Sequence, residues 1–123
     1  MRIKTESMLS GLSGVAMTAN ITSEQIWLGH IANFAIQIIF TGSTPSGAFK
    51  LQASCDEPKK GDPSATSVVN WTDISGSNQA VTAAGDHMYT IENAGYTFVR
   101  LVWTDTSSTA GTITSCRFMV KGI

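Results

Sequence analysis

The feature that most constrains the fold of this chain is a seven-residue segment, residues 34–40, in which large apolar side chains alternate with other residues. The residues at even positions from Phe34 to Phe40 are all Phe or Ile, and Ala35, Gln37 and Ile39 lie between them. Successive side chains of a strand point to opposite sides, so this spacing predicts a strand with one face in a core.

Seven further segments have strand character, and clusters of Gly, Ser, Thr, Asn and Pro that favour turns separate them. They are residues 25–28, 48–55, 68–74, 79–82, 88–91, 96–104 and 112–121. No segment of useful length shows the helical period. About eight short strands with frequent turns predict an all-β protein, a two-sheet antiparallel sandwich of jelly-roll type.

The length of 123 residues is enough for one domain. We predict a β-sandwich domain over residues 21–123 and an extended N-terminal arm over residues 1–20. The apolar residues of the arm are too sparse for a core of their own, so we expect them to lie on the domain or on a neighbouring subunit. The arm residues predicted to bind a partner are Met8, Leu9, Leu12, Val15 and Met17.

The strand over residues 96–104 is a second candidate for a contact with another protein. Its alternation places Val99, Leu101 and Trp103 on the inner face and the intervening side chains on the outer face. Phe98 and Val102 then lie together on the outer face, and an apolar outer face is typical of a surface that another protein covers.

Charged residues make up only 14% of the chain, and the net charge is −1. Soluble domains usually contain about 25% charged residues. A thinly charged surface suits a protein whose outer face meets other proteins. The charge balance predicts no nucleic-acid partner, and no segment approaches the ~20 apolar residues of a membrane span.

Few residues have the arrangement that catalysis or metal binding needs, so we predict neither an enzyme nor a cofactor. His30 and His87 are interpreted as solvated turn residues. Cys55 and Cys116 fall at inward positions of predicted strands and are interpreted as small buried side chains without a disulfide. These four residues lack the short paired spacings of a zinc site.

The loop over residues 56–67 contains Asp56, Glu57 and Asp62, whose carboxylates could bind calcium. Lys59 and Lys60 lie among them, which favours an ordinary solvated loop. No metal is therefore predicted at this loop.

Aromatic residues offer two alternatives. Trp27, Trp71 and Tyr89 could form a platform on which sugar rings stack. The favoured interpretation is that Trp71 and Trp103 fill the sandwich core.

The strand and turn patterns together resemble a known group of proteins. The segments concerned are residues 34–42, 47–54, 70–74, 76–77, 96–104 and 121–122. They resemble small β-sandwich virion proteins of tailed bacteriophages, and the resemblance covers roughly residues 20–123. Its motifs are patterns of strands and turns, not catalytic signatures.

The resemblance implies a structural role in a virion that is assembled in the bacterial cytoplasm. The leading hypothesis is a capsid decoration (cement) protein that binds the major capsid protein and other copies of itself, with residues 1–20 reaching across to the neighbour. Removal of residues 1–17 is then expected to weaken binding but leave the sandwich folded. The alternatives are a receptor- or glycan-binding module of a fibre, with recognition by residues 56–67 and 105–111, and a tail or head–tail joining ring.

Overall fold

A computed structural model describes residues 3–6, 12, 14–28, 31–57, 60–61, 67–92 and 94–121. This part of the chain contains eleven β-strands and no α-helix. The strands are β1 (Ile3–Glu6), β2 (Val15–Ala16), β3 (Ile21–Thr22), β4 (Ile26–Trp27), β5 (Phe34–Thr44), β6 (Gly47–Ser54), β7 (Thr72–Asp73), β8 (Gln79–Val81), β9 (Gly85–Ile91), β10 (Phe98–Asp105) and β11 (Ala110–Lys121).

The strands form two sheets in which every pair of neighbours is antiparallel. Sheet A has the order β1-β11-β5-β9, and β2 also pairs with β11. Sheet B has the order β3-β10-β6-β7, with β4 on β10 and β8 on β6. The predicted all-β class and two-sheet antiparallel sandwich are confirmed.

The connectivity is that of a jelly roll. The couples β1 and β2, β3 and β4, and β7 and β8 each pair with a single strand, so each couple is one interrupted strand. The eleven strands therefore occupy eight positions along the chain. Sheet A takes the first, eighth, third and sixth positions, and sheet B takes the second, seventh, fourth and fifth. This interleaving of eight positions in two sheets is the jelly-roll arrangement.

The core lies between the sheets. Phe34, Ile36, Ile38 and Phe40 are buried on the inner face of β5, as their alternation predicts, and the strand continues to Thr44. An aromatic series crosses the core, with ring centroids 5.5 Å apart for Phe40 and Phe49 and 4.6 Å apart for Phe49 and Trp103. Phe40 belongs to sheet A and the other two rings to sheet B, so this series joins the sheets.

The described part of the segment before residue 20 is built into the domain. Both β1 and β2 pair with β11. The Met17 N–H donates to the carbonyl of Gly111 at 2.9 Å, and the indole N–H of Trp103 donates to the carbonyl of Met17 at 2.9 Å. Met17 is fully buried and Leu12 nearly so, both within the chain's own core.

Two of the predicted partner-binding residues are therefore corrected. Leu12 and Met17 are unavailable to another molecule because the core of the same chain already covers them. The expectation that residues 1–17 can be removed without unfolding is corrected for the same reason. Val15 is half-buried and stays a predicted contact, while Met8 and Leu9 lie outside the described residues.

Two glycines let β5, β11 and Met17 approach closely. The β5–β11 pairing shifts register between Ala110 and Thr112. Gly42 has a φ of 123°, and a Cβ there would lie 2.5 Å from the Cα of Gly111. A Cβ at Gly111 would lie 3.4 Å from the Cβ of Met17. A side chain at Gly42 would clash with the backbone of β11, whereas one at Gly111 would press only slightly on Pro45 and Met17.

We expect Met17→Ala to lower the free energy of unfolding by about 2–5 kcal/mol, because it leaves a cavity in the core. Met119→Ala is the matched control, because Met119 is exposed on β11 and an exposed substitution should change stability by no more than about 0.5 kcal/mol. Urea unfolding followed by fluorescence measures both. Equal effects of the two substitutions would contradict the integration of this segment into the core.

Candidate functional site

The outer sides of the two sheets are the candidate contact surfaces. Among the described residues, the large apolar side chains that are exposed are Trp27, Ile39, Val69, Met88 and Met119. Ile39, Met88 and Met119 lie on β5, β9 and β11, at positions that alternate with buried residues. Three of these five side chains therefore share the outer side of sheet A.

Strand register defines this surface, which we call the sheet A face. Three rows cross β11, β5 and β9: Met119, Ala35 and Thr90; Arg117, Gln37 and Met88; and Ser115, Ile39 and Asp86. A shallow groove of about 580 Å³, lined in part by Ala35, Met88 and Met119, lies at one end of the face. The surface is broad and mostly apolar or neutral, which is suited to contact with a macromolecule.

Sequence reasoning placed Ile39 on the outer side of its strand but did not single out Met88 or Met119. The signal that could have found them is the same alternation. Met119 lies between the inward Phe118 and Val120, and Met88 lies between His87 and Tyr89. Only the register of β5 with both neighbours brings the three together, because β9 and β11 are far apart in sequence.

The outer side of sheet B, in contrast, is occupied by interactions within the chain. The Arg100 guanidinium carbon lies 4.2 Å from the centre of the Trp71 ring, and the Arg100 Nε donates to Gln52 at 2.8 Å. Gln52 donates to Asp73 at 2.8 Å, and the Lys50 ammonium contacts the same carboxylate at 3.2 Å. These donors, Gln52 first and then Lys50, lower the pKa of Asp73.

Phe98 is the clearest correction to the predicted contact residues. It is on the outer side of β10 by register, opposite Trp27 and Ser54, but its side chain is fully buried. It is also separate from the buried cluster between the sheets. Phe98 is therefore not available as a contact, whereas Val102, half-buried between Thr22 and Lys50, stays a prediction.

The positions of the aromatic residues match neither the sugar platform nor the core-filling interpretation completely. Trp103 fills the core as expected, but Trp71 is half-buried and lies over Arg100, so its placement in the core is wrong. Tyr89 is 6% exposed and belongs to the core. A platform of Trp27, Trp71 and Tyr89 therefore does not form, although Trp27 and Trp71 both belong to the outer side of sheet B.

Asp56 has a structural task in the loop that follows β6. Its carboxylate accepts hydrogen bonds from the N–H of Val69 at 2.9 Å, the N–H of Asn70 at 3.3 Å and the Asn70 side-chain amide at 2.8 Å. These donors, the Asn70 side chain foremost, lower the pKa of Asp56. The carboxylate thereby fixes residues 69–70 next to the end of β6. Of the other two acidic residues, Glu57 is exposed and Asp62 lies outside the described residues.

Metal binding has no support in the described ranges, where no group of three or more His, Cys, Asp and Glu side chains could hold an ion. Both cysteines are free. Cys116 is buried, which raises the pKa of its thiol to about 12. Cys55 is exposed because β6 ends at Ser54, so its interpretation as a buried residue is wrong.

His87 lies within β9, so its interpretation as a solvated turn residue is wrong, while His30 lies outside the described residues. The His87 ring is half-buried and meets Tyr89 edge-on, with ring centroids 4.4 Å apart. Burial lowers the pKa of His87, and the neighbouring Asp86 opposes that shift only in part.

No protein-family model matches the sequence, and no curated protein is similar to it. Within the described residues there is no helix with the length and apolar character needed to cross a membrane. What this chain binds is therefore inferred from its surfaces and from the resemblance of its strand patterns.

We expect the pKa of His87 to make stability depend on pH. The folded state holds the His87 proton less tightly than the unfolded chain, whose histidine keeps the ordinary pKa of 6.5. His87 therefore makes its full contribution to the free energy of unfolding at pH values above its ordinary pKa. This contribution declines as the pH falls through 6.5 and levels off below the folded-state pKa.

Urea unfolding of the wild type and His87→Gln at about pH 7.5 and about pH 5.5 tests this linkage. His30 is present in both proteins, so any effect of that residue cancels in the difference between them. The variant should lose less stability on acidification than the wild type does. An identical decline in the two proteins would show that His87 is not responsible.

Proposed function

We propose that this chain is a non-enzymatic structural protein of a tailed-bacteriophage virion, a decoration protein that binds the outside of the head and stabilises the shell. The observation that carries the proposal is the sheet A face, where the exposed side chains of Ile39, Met88 and Met119 lie among mostly neutral residues on a jelly-roll sandwich. The resemblance of the strand patterns to small β-sandwich virion proteins points to the same role.

The sheet A face is the proposed contact with the major capsid protein. Three strands about 4.8 Å apart and three rows about 7 Å apart give an area of roughly 300 Å². A standard stable interface uses about 800 Å² on each partner. A single copy therefore binds weakly through this face alone, and stable attachment needs further contacts with neighbouring copies, which act together as a multivalent array.

Several predicted contacts belong to this proposal. Val15 is half-buried on β2, and Val102 is half-buried on the outer side of sheet B, so both lie outside the sheet A face and would meet a neighbouring copy of the chain. Met8 and Leu9 could reach the same neighbour. The partners are the major capsid protein and further copies of the chain, and the location is a virion assembled in the bacterial cytoplasm. A reducing cytoplasm would keep the exposed Cys55 as a thiol. Binding only to the assembled shell would stabilise it by mass action.

Co-sedimentation of the purified chain with phage heads that lack it tests the proposal. We expect saturable binding to heads and none to host cell envelopes in a parallel experiment, and the plateau gives the copy number. Binding to envelopes alone would overturn the assignment and favour host recognition.

Two lysine substitutions test the surface itself. Met119→Lys puts a charge in the first row of the sheet A face, in the lining of its groove, and should weaken head binding by about tenfold or more. Val69→Lys is the matched control, because Val69 is 75% exposed in the loop next to the end of β6 and is not part of the sheet A face. Head binding that survives Met119→Lys unchanged would exclude the sheet A face as the contact.

A glycan- or receptor-binding module of a fibre is the second candidate, and the outer side of sheet B favours it. Trp27 is 44% exposed there. A groove of about 570 Å³ is lined in part by Asp56, Asn70 and Asp73, and amide and carboxylate side chains hydrogen-bond well to sugar hydroxyls. The exposed indole can stack on a sugar ring, and the groove, whose lining does not include Trp27, offers hydrogen-bonding groups at a separate place.

Tryptophan fluorescence in the presence of host polysaccharide tests this second candidate. Sugar stacking on the exposed indole should quench emission in the wild type and not in Trp27→Ala, while the buried Trp103 continues to emit in both. An unchanged spectrum across a broad panel of glycans would remove the candidate.

A further inference from the structure

We infer that β9 pairs with β9 of a second copy of this chain, antiparallel and across a twofold axis, so that sheet A continues from one molecule into the other. β9 is at the edge of sheet A: it pairs with β5 on one side and with no other strand among the described residues. This inference deepens the self-association in the proposed function, and it names the strand that carries it.

The edge formed by β9 lacks most of the features that usually prevent pairing, and its one acidic residue is Asp86. Natural edge strands are blunted by short length, by Lys or Pro, or by bulges. β9 has seven residues, pairs with β5 without a register shift, and contains neither Lys nor Pro. The edges of sheet B consist of strands of two or three residues, and the four residues of β1 include Lys4. β9 is therefore the long unprotected edge of the described sandwich.

A groove of about 330 Å³ lies between β9 and the turn at residues 74–77 of the facing sheet, and its lining includes His87, Tyr89 and Ile91. These side chains of β9 are therefore not packed tightly against that turn. The unpaired N–H and C=O groups of an edge are satisfied best by the backbone of another extended strand.

The sequence of β9 is complementary to itself in one register. A pairing centred on Met88 brings all seven residues into the ladder, with Gly85 opposite Ile91 of the second copy. Asp86 then faces a threonine hydroxyl, and His87 faces a tyrosine ring. No like charges oppose each other, and Met88, which is 50% exposed, covers its own counterpart. This complementarity favours a second copy over an unrelated strand as the occupant.

The pairing also enlarges the proposed contact surface. Residues on the outer side of β9 stay on the outer side across a twofold axis perpendicular to the sheet, because directly opposite residues share a face. Two sheet A faces become one continuous surface of roughly 600 Å² across six strands. That area is closer to what a stable interface needs.

Sedimentation velocity of the purified full chain over a series of concentrations tests the pairing. We expect a reversible monomer–dimer equilibrium. Met88→Lys places two lysines opposite each other at the centre of the ladder and should weaken dimerisation by about tenfold or more. Met119→Lys puts the same side chain on β11, away from the edge, and should change dimerisation by less than about twofold.

Cysteine cross-linking tests the register. In a Cys55→Ser background, Met88→Cys should form an intermolecular disulfide on mild oxidation, because paired residues at the twofold centre have Cα atoms about 4.5–5.5 Å apart. Met119→Cys is the control and should stay monomeric on a denaturing gel. Near-ultraviolet circular dichroism checks that each variant keeps the wild-type packing.

A chain that is monomeric at every concentration would overturn the inference, as would a ring of more than two copies. Equal weakening by Met88→Lys and Met119→Lys would also overturn it, because that result indicates face-to-face packing. Monomers that still bind phage heads would leave the proposed function intact and remove only the β9 pairing. Dimers that do not bind heads would support the β9 pairing and contradict the proposed function.

Discussion

The packing of Trp103 between the two sheets is the interaction on which the rest of the structure depends. Its ring lies against Phe49, which in turn contacts Phe40 in the opposite sheet. Its indole N–H is satisfied by the carbonyl of Met17, 86 residues away in sequence. A buried donor without a partner costs about 1–3 kcal/mol, so the N-terminal segment and the core stabilise each other. One side chain thus joins both sheets and the segment before residue 20.

The two outer sides of the sandwich differ in how much of their surface the chain itself uses. On sheet B, Arg100, Gln52 and Asp73 satisfy one another and Trp71 covers the guanidinium. On sheet A, the side chains in the rows around Gln37 and Ile39 are left open. Burial of apolar side chains away from water lowers the free energy, whereas burial of polar groups that already have partners contributes little. Binding of a partner can therefore stabilise the sheet A side more than the sheet B side.

The fold could be predicted from the sequence because alternating apolar residues indicate both that a strand is present and which of its faces is buried, as in residues 34–40. Sequence reasoning went wrong where burial depends on distant parts of the chain. Alternation gave the correct side for Phe98 but could not show that the chain itself buries it. Met17 lies in a segment of small and polar residues where Leu12 and Val15 are the other large apolar side chains, so no sustained period marks it as core. The neighbours of Ile39 on the sheet A face, and the edge position of β9, follow from strand order, which pairs segments far apart in sequence.

The central place of β11 in sheet A has a consequence for how the chain acquires its structure. β11 lies between β5 and the interrupted strand formed by β1 and β2, so these elements have no contact with each other through the sheet until it arrives. Non-local pairing of this kind slows folding, because the loop entropy is lost before the contacts form. During synthesis, one apolar face and one unpaired edge of β5 stay exposed until β11 has left the ribosome. We therefore expect nascent chains to be vulnerable to aggregation until β11 docks.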